Sequence, residues 1–102
     1  MNSSTVNAGF TKWSIRNRRL IPAGIRKEAV PARDGGLEVI WEIPNEKEQH
    51  DTLVSFIWAA DGTPVRGSFT IIDWATDETL NSGALWDEDA LTRIFTLAAN
   101  AA

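Results

Sequence analysis

Few residues in this chain could carry chemistry, and their spacing keeps them apart. His50 is the sole histidine. It stands beside Asp51 with Glu46 and Glu48 close in sequence, a composition that would suit a carboxylate-oriented general base or a metal ligand. Neither role is complete. No nucleophile lies nearby in sequence, and a metal centre needs three or four converging ligands, so the expectation is a solvated loop histidine. Asp73, Asp77 and Glu78 follow the apolar run Phe69 to Ile72 and could set two carboxylates at a sheet end for hydrolysis or cation binding. The plainer reading is a polar loop in which Asp77 makes a local turn bond. The ordered ligand spacing of a calcium loop and a Gly-rich phosphate cradle are both missing. With no cysteine, thiol catalysis, disulfide frameworks and cysteine-ligated zinc are excluded. The expectation is a non-enzymatic protein without metal or cofactor.

Charge is more informative. Residues 1–33 carry seven basic side chains against Glu28 alone, and residues 34–102 carry three against thirteen acidic ones, so +6 beside −10 gives the net charge of −4. A lopsided field indicates where a partner could be steered even when the total is ordinary. On an extended chain Lys12, Arg16 and Arg18 would project to one side, with Arg19, Arg26 and Lys27 close behind. Such a stripe could neutralise phosphates, and Trp13 could stack a base. The sequence pI near 4.8 argues against it, because a nucleic-acid-binding domain is usually basic. Neutralisation by the chain's own acids, Glu38 and Glu42 among them, is the simpler expectation.

Five tryptophans, Trp13, Trp41, Trp58, Trp74 and Trp86, are more than one small core can hide. Trp is enriched both in cores and at interface hot spots. Trp74 and Trp86 flank the least regular part of the sequence and are the two expected to stay exposed, next to Asp77 and to the run Asp87-Glu88-Asp89. An indole beside carboxylates suits a partner that presents arginine. The leading expectation is therefore a stand-alone protein-binding module, an inhibitor, adaptor or assembly subunit, with Trp74, Asp77, Trp86, Asp87 and Glu88 as contact residues. The alternative is nucleic-acid binding through Lys12, Arg16, Arg18, Arg19, Arg26 and Lys27. A third possibility, a small-ligand site in a cleft between sheet and helix, needs a sizeable pocket with converging polar groups.

The elements that must position these residues follow from pattern. A chain of 102 residues is close to the commonest domain size and is read as a single domain, 1–102. Met1 to Gly9 is small and polar, expected to be disordered, and shows neither part of a secretory signal. No apolar run approaches the ~20 residues of a membrane span, so cytoplasmic residence is the default. Asp34-Gly35 and Asp61-Gly62 lie between alternating segments and predict two hairpins with two-residue type I′ turns. The first would pair Val30 with Val39, Glu28 with Trp41 and Lys27 with Glu42, and Pro31 makes its first arm an edge strand. The second would pair Trp58 with Val65, Phe56 with Gly67, Val54 with Phe69 and Thr52 with Ile71. Its core face would hold Val54, Phe56, Trp58, Val65, Phe69 and Ile71, and its other face Leu53, Ser55, Ile57, Arg66, Ser68 and Thr70.

Phe10 to Arg16 alternates and predicts a further strand, whose open edge could pair with a second copy as a homodimer. Pro44 to Asp51 predicts an exposed loop, and Asp77 to Gly83 an irregular connection. Leu91, Ile94, Phe95 and Ala98 recur at helical intervals and predict a helix over about 87–100. Asp87 would be its N-cap, Trp86 and Leu91 would form a hydrophobic staple, and the terminal alanine-rich residues would fray. The sum is an α+β fold, an antiparallel β-meander of four or five strands with one C-terminal α-helix on its apolar face. A small open β-barrel closed by the helix is the alternative.

Overall fold

The computed structural model describes residues 7–22 and 24–101; the disorder expected at the N-terminus falls partly outside that range. The order is α1 (Ala8–Arg16), β1 (Arg26–Pro31), β2 (Leu37–Asn45), β3 (His50–Trp58), β4 (Pro64–Asp73), β5 (Thr79–Leu85) and α2 (Glu88–Ala101), with short 3-10 turns at Arg18–Leu20 and Arg33–Gly35. The five strands form one open antiparallel sheet in the order β1-β2-β3-β4-β5. The α+β meander with its C-terminal helix is thus the fold, and the barrel alternative is excluded because the sheet does not close.

Both hairpins differ from expectation at the tip, although Asp34 and Gly35 of the first are both left-handed, at φ 58° and 80°. A type I′ turn needs positive φ at both central residues, but at the second tip only Gly62 is left-handed, at φ 89°. The loop therefore holds three residues, closed by the Ala59 N–H donating to the Thr63 carbonyl at 2.8 Å. A bulge between Ile57 and Trp58 absorbs the extra residue: Trp58 pairs with Pro64, not Val65, while Phe56 still meets Gly67 and Thr52 still meets Ile71. Val65 is consequently exposed instead of being in the core. The first hairpin also closes around three residues, with the Ala32 N–H donating to the Gly36 carbonyl at 2.9 Å. No bulge compensates there, so the slip runs the length of β1. Ala29 pairs with Val39, Lys27 with Trp41 and Arg26 with Glu42. Because strand side chains alternate, a one-residue slip exchanges the faces: Lys27 turns toward the core side, and Glu28 and Val30 pair with Ile40 and Glu38 on the other.

Phe10 to Arg16 is a helix, not a strand. The Asn7 side chain caps it, accepting from the Gly9 and Phe10 N–H groups at 2.9 and 3.1 Å, which satisfies donors that a helix start leaves open. Helical spacing then sets Phe10 and Trp13, three apart, on one side, where both meet Trp41 and Trp58. Alternation would have separated them. Gly9 lets the helix approach the β3–β4 tip so closely that a Cβ there would lie 2.0 Å from the Gly62 carbonyl oxygen. With α1 helical, Phe10 to Arg16 offers no strand edge; the sheet edges belong to β1 and β5.

Three other expectations change. Strand β5 occupies most of the segment read as irregular: its Asn81, Ser82 and Gly83 are poor strand formers, recruited by the open edge of β4. Only Glu46 to Gln49 is a turn between β2 and β3, since Asn45 and His50 already pair. In α2, Asp87 caps as expected, accepting from the Ala90 N–H at 2.8 Å, but Trp86 is 73% exposed and staples nothing. The helix spans Glu88–Ala101.

The core lies on one face of the sheet. Leu37, Val39, Trp41 and Ile43 of β2 and Val54, Phe56 and Trp58 of β3 point toward it, covered by Trp13 of α1 and by Leu91, Ile94 and Phe95 of α2. The Trp58 Nε1–H donates to Glu88 Oε2 at 2.7 Å, and the Trp13 Nε1–H to Thr92 Oγ1 at 3.0 Å. These two bonds tie both helices to the same aromatic centre.

Candidate functional site

With α1 and α2 on the same side, the opposite face of the sheet carries no second layer. Strand alternation puts Val30, Ile40, Leu53, Ile57 and Ile72 there, and none of them is fully buried. Among them stand Glu28, Glu38, Glu42 and Asp51, against Arg26 and Arg66. Arg26 is engaged by Glu42 at 3.3 Å, and it is the one ion pair among the described residues. The face is therefore a lattice of aliphatic side chains separated by carboxylates. Its two ends differ. At one, Trp74 is 43% exposed and its Nε1–H donates to Asp51 Oδ1 at 2.9 Å, which holds the indole over the strand ends. At the other, the two hairpin loops frame a depression of about 700 Å³ in which Arg33, Glu38, Ile57 and Arg66 take part.

The five contact residues expected from sequence do not form one site. Trp74 and Asp77 sit in the β4–β5 turn, whereas Trp86, Asp87 and Glu88 follow the far end of β5. Seven strand residues separate the groups by roughly 20 Å. Glu88 is engaged by Trp58 and Asp87 by the α2 N-terminus, so both carboxylates already have partners within the chain. Asp77 has φ 59° and donates its N–H to the Asp73 carbonyl. Asp73 accepts from the Thr76 N–H and hydroxyl at 3.0 and 2.9 Å, so the Asp73 carboxylate and the Asp77 backbone shape a turn. Of the five, Trp74 alone adjoins the uncovered face.

The basic group also divides. Lys12 and Arg16 lie one helical turn apart on α1, Arg18 and Arg19 sit in the following 3-10 turn, and Arg26 and Lys27 point to opposite faces of β1. No single stripe unites the six. His50 pairs with Asn45 across β2 and β3, and among the described residues no group of His, Asp and Glu is placed to hold a metal ion.

The uncovered face went unread in the sequence although a signal for it existed. Leu53 and Ile57 are large aliphatic residues on what the second hairpin's alternation marks as the solvent side. Val30 could not be placed there without knowing the slip of β1. Comparison of the chain with protein-family models, with curated proteins and with solved structures finds no match. No helix among the described residues is long and apolar enough to cross a membrane.

Proposed function

We propose that the protein is a non-enzymatic binding module that holds another protein against the uncovered face of its sheet, acting as an inhibitor, adaptor or assembly subunit. The observation that carries this reading is the asymmetry of the sheet: both helices cover one face, and the other leaves Ile40, Leu53 and Ile57 half-buried between carboxylates with no second layer over them. Apolar surface rimmed by polar groups is the usual mark of an interaction site. Five strands about 4.8 Å apart and roughly 25 Å long present on the order of 600 Å², near the ~800 Å² that each partner contributes to a standard interface. Glu28, Glu38 and Asp51 favour a partner that alternates apolar and basic side chains, and Trp74 at the border supplies a rigid aromatic anchor.

The test is capture from the native host by the wild-type chain and by two variants whose fold is verified by circular dichroism. I40K/I57K places two cations in the middle of the face, whereas I15K alters an exposed apolar residue on α1. A specific partner should be lost with I40K/I57K and kept with I15K. Capture that survives I40K/I57K would remove the face from consideration. If nucleic acid is recovered instead, and binding falls log-linearly with salt and with loss of Lys12, Arg16 and Arg19, the phosphate-binding alternative takes its place.

A further inference from the structure

Four of the five indoles have an evident place for their N–H. Those of Trp13, Trp58 and Trp74 donate to Thr92, Glu88 and Asp51 at 3.0, 2.7 and 2.9 Å, and Trp86 is open to solvent. Trp41 is the exception. It is fully buried, and its Nε1 has no hydrogen-bond partner among the described residues. Buried polar groups are nearly always paired, and one that is not calls for an explanation.

Trp41 lines a pocket of about 350 Å³ between the end of α1, the chain leading into β1, and β1 itself. The other polar side chains around it are Ser14, Arg18 and Lys27, and Ile21 and Ile25 form apolar wall. Lys27 is present because of the register slip that turns it to the core side opposite Trp41; its ammonium sits 5.3 Å from the centre of the Phe10 ring. Each of these polar groups can donate a hydrogen bond, two carry permanent positive charge, and no carboxylate lines the pocket. A guanidinium fork, an ammonium and a hydroxyl next to the buried Trp41 indole form a donor set suited to an oxyanion.

We propose that this pocket binds a small organic oxyanion, a carboxylate or phosphate borne on an apolar body. The charged group accepts from Arg18, Lys27 and Ser14 beside the Trp41 indole, and the apolar body rests on Ile21 and Ile25. This site lies on the helix-covered side of the sheet and does not depend on the protein-docking reading of the other face.

The experiment follows the indole N–H resonances of the full chain by nitrogen–proton NMR during titration with benzoate, phenyl phosphate and, as the neutral match, benzamide. W41F identifies the Trp41 signal. Either anion should move the Trp41 resonance saturably, while benzamide leaves it in place; the tighter of the two anions tells which class of head group the pocket prefers. K27M, which keeps the stem over Phe10, and R18Q should each weaken binding about tenfold, and K12Q should not. Two results would overturn the site: a Trp41 resonance that stays still for both anions, or anion binding that K12Q weakens as much as K27M, which would mean diffuse attraction to a basic surface.

Discussion

The two faces of the sheet are built from the same strands and the same alternation, yet they solve different problems. On the covered face, three tryptophans and three phenylalanines meet ring to ring; the Trp41 and Phe95 centroids lie 5.1 Å apart at 87°, and Phe56 and Trp58 4.8 Å apart. There the helices are fixed by bonds to buried indoles. On the uncovered face, β-branched and aliphatic side chains alternate with carboxylates and nothing lies over them. A face needed only for solubility would be polar on every outward position; Ile40, Leu53 and Ile57 break that rule on the two strands with a neighbour on each side.

The largest effect expected from this contrast is in stability. Trp58→Ala removes the ring that contacts Phe10, Trp13 and Phe56 and should cost about 3–5 kcal/mol, a large part of the roughly 5–15 kcal/mol that keeps a domain folded. Leu53→Ser, one face away, should stay within about 1 kcal/mol. Urea unfolding of both variants checks the difference. Equal losses would mean that the outer face is structural and would weaken the case for docking.

Glu88 sharpens the comparison next, because sequence spacing suggested a contact residue and the structure gives it a buried indole as partner. Glu88→Ala leaves the Trp58 Nε1–H without an acceptor, and that should cost about 1–3 kcal/mol with no direct effect on any partner of the outer face. Neighbouring Asp87 is an N-cap; Asp87→Ala should cost about 1 kcal/mol. If either variant lost partner binding while keeping full thermal stability, the acidic end of β5 would return as a contact surface.

The succession from β1 to β4 and the core of β3 and α2 were readable because strong signals coincided there: alternation, Asp-Gly turns and a capped helical period. What failed has physical causes. Alternation across Phe10 to Arg16 is too short to distinguish a strand from a helix when the deciding contacts, Phe10 and Trp13 on Trp41 and Trp58, are made with residues far along the chain. Strand β5 has almost no strand propensity of its own and exists because β4 offers it hydrogen bonds. The slip of β1 rests on one loop residue, and it transferred Val30 to the outer face and Lys27 to the pocket beside Trp41. The pocket beside Trp41, and the Val30 part of the outer face, therefore depend on a register that propensity does not encode. Exposure of Trp74 and Trp86, by contrast, followed from counting how many indoles one core can hold.

The smallest expected effect concerns the β3–β4 tip, which meets the covered face through α1 and borders the depression on the other. Asp61 is fully exposed, and its carboxyl is held below its ordinary value of 3.8, first by the Thr63 hydroxyl and then by the Thr63 backbone N–H, which donates to Asp61 Oδ1 at 2.9 Å. A carboxylate depressed in the folded state contributes stability above its unfolded pKa and loses it as pH falls from about 3.8 through the lower folded value. Asp61→Asn keeps an acceptor for the Thr63 N–H but cannot titrate. The variant should match the wild-type chain in the dependence of stability on pH above 5 and show a shallower decline below 4. Solvent screening makes the difference small, so the sensitive readout is the carboxyl titration itself by carbon NMR. An Asp61 midpoint at or above 3.8 would show that the Thr63 bonds do not persist in solution, and with them would go the rigid three-residue tip on which both α1 and the depression are set.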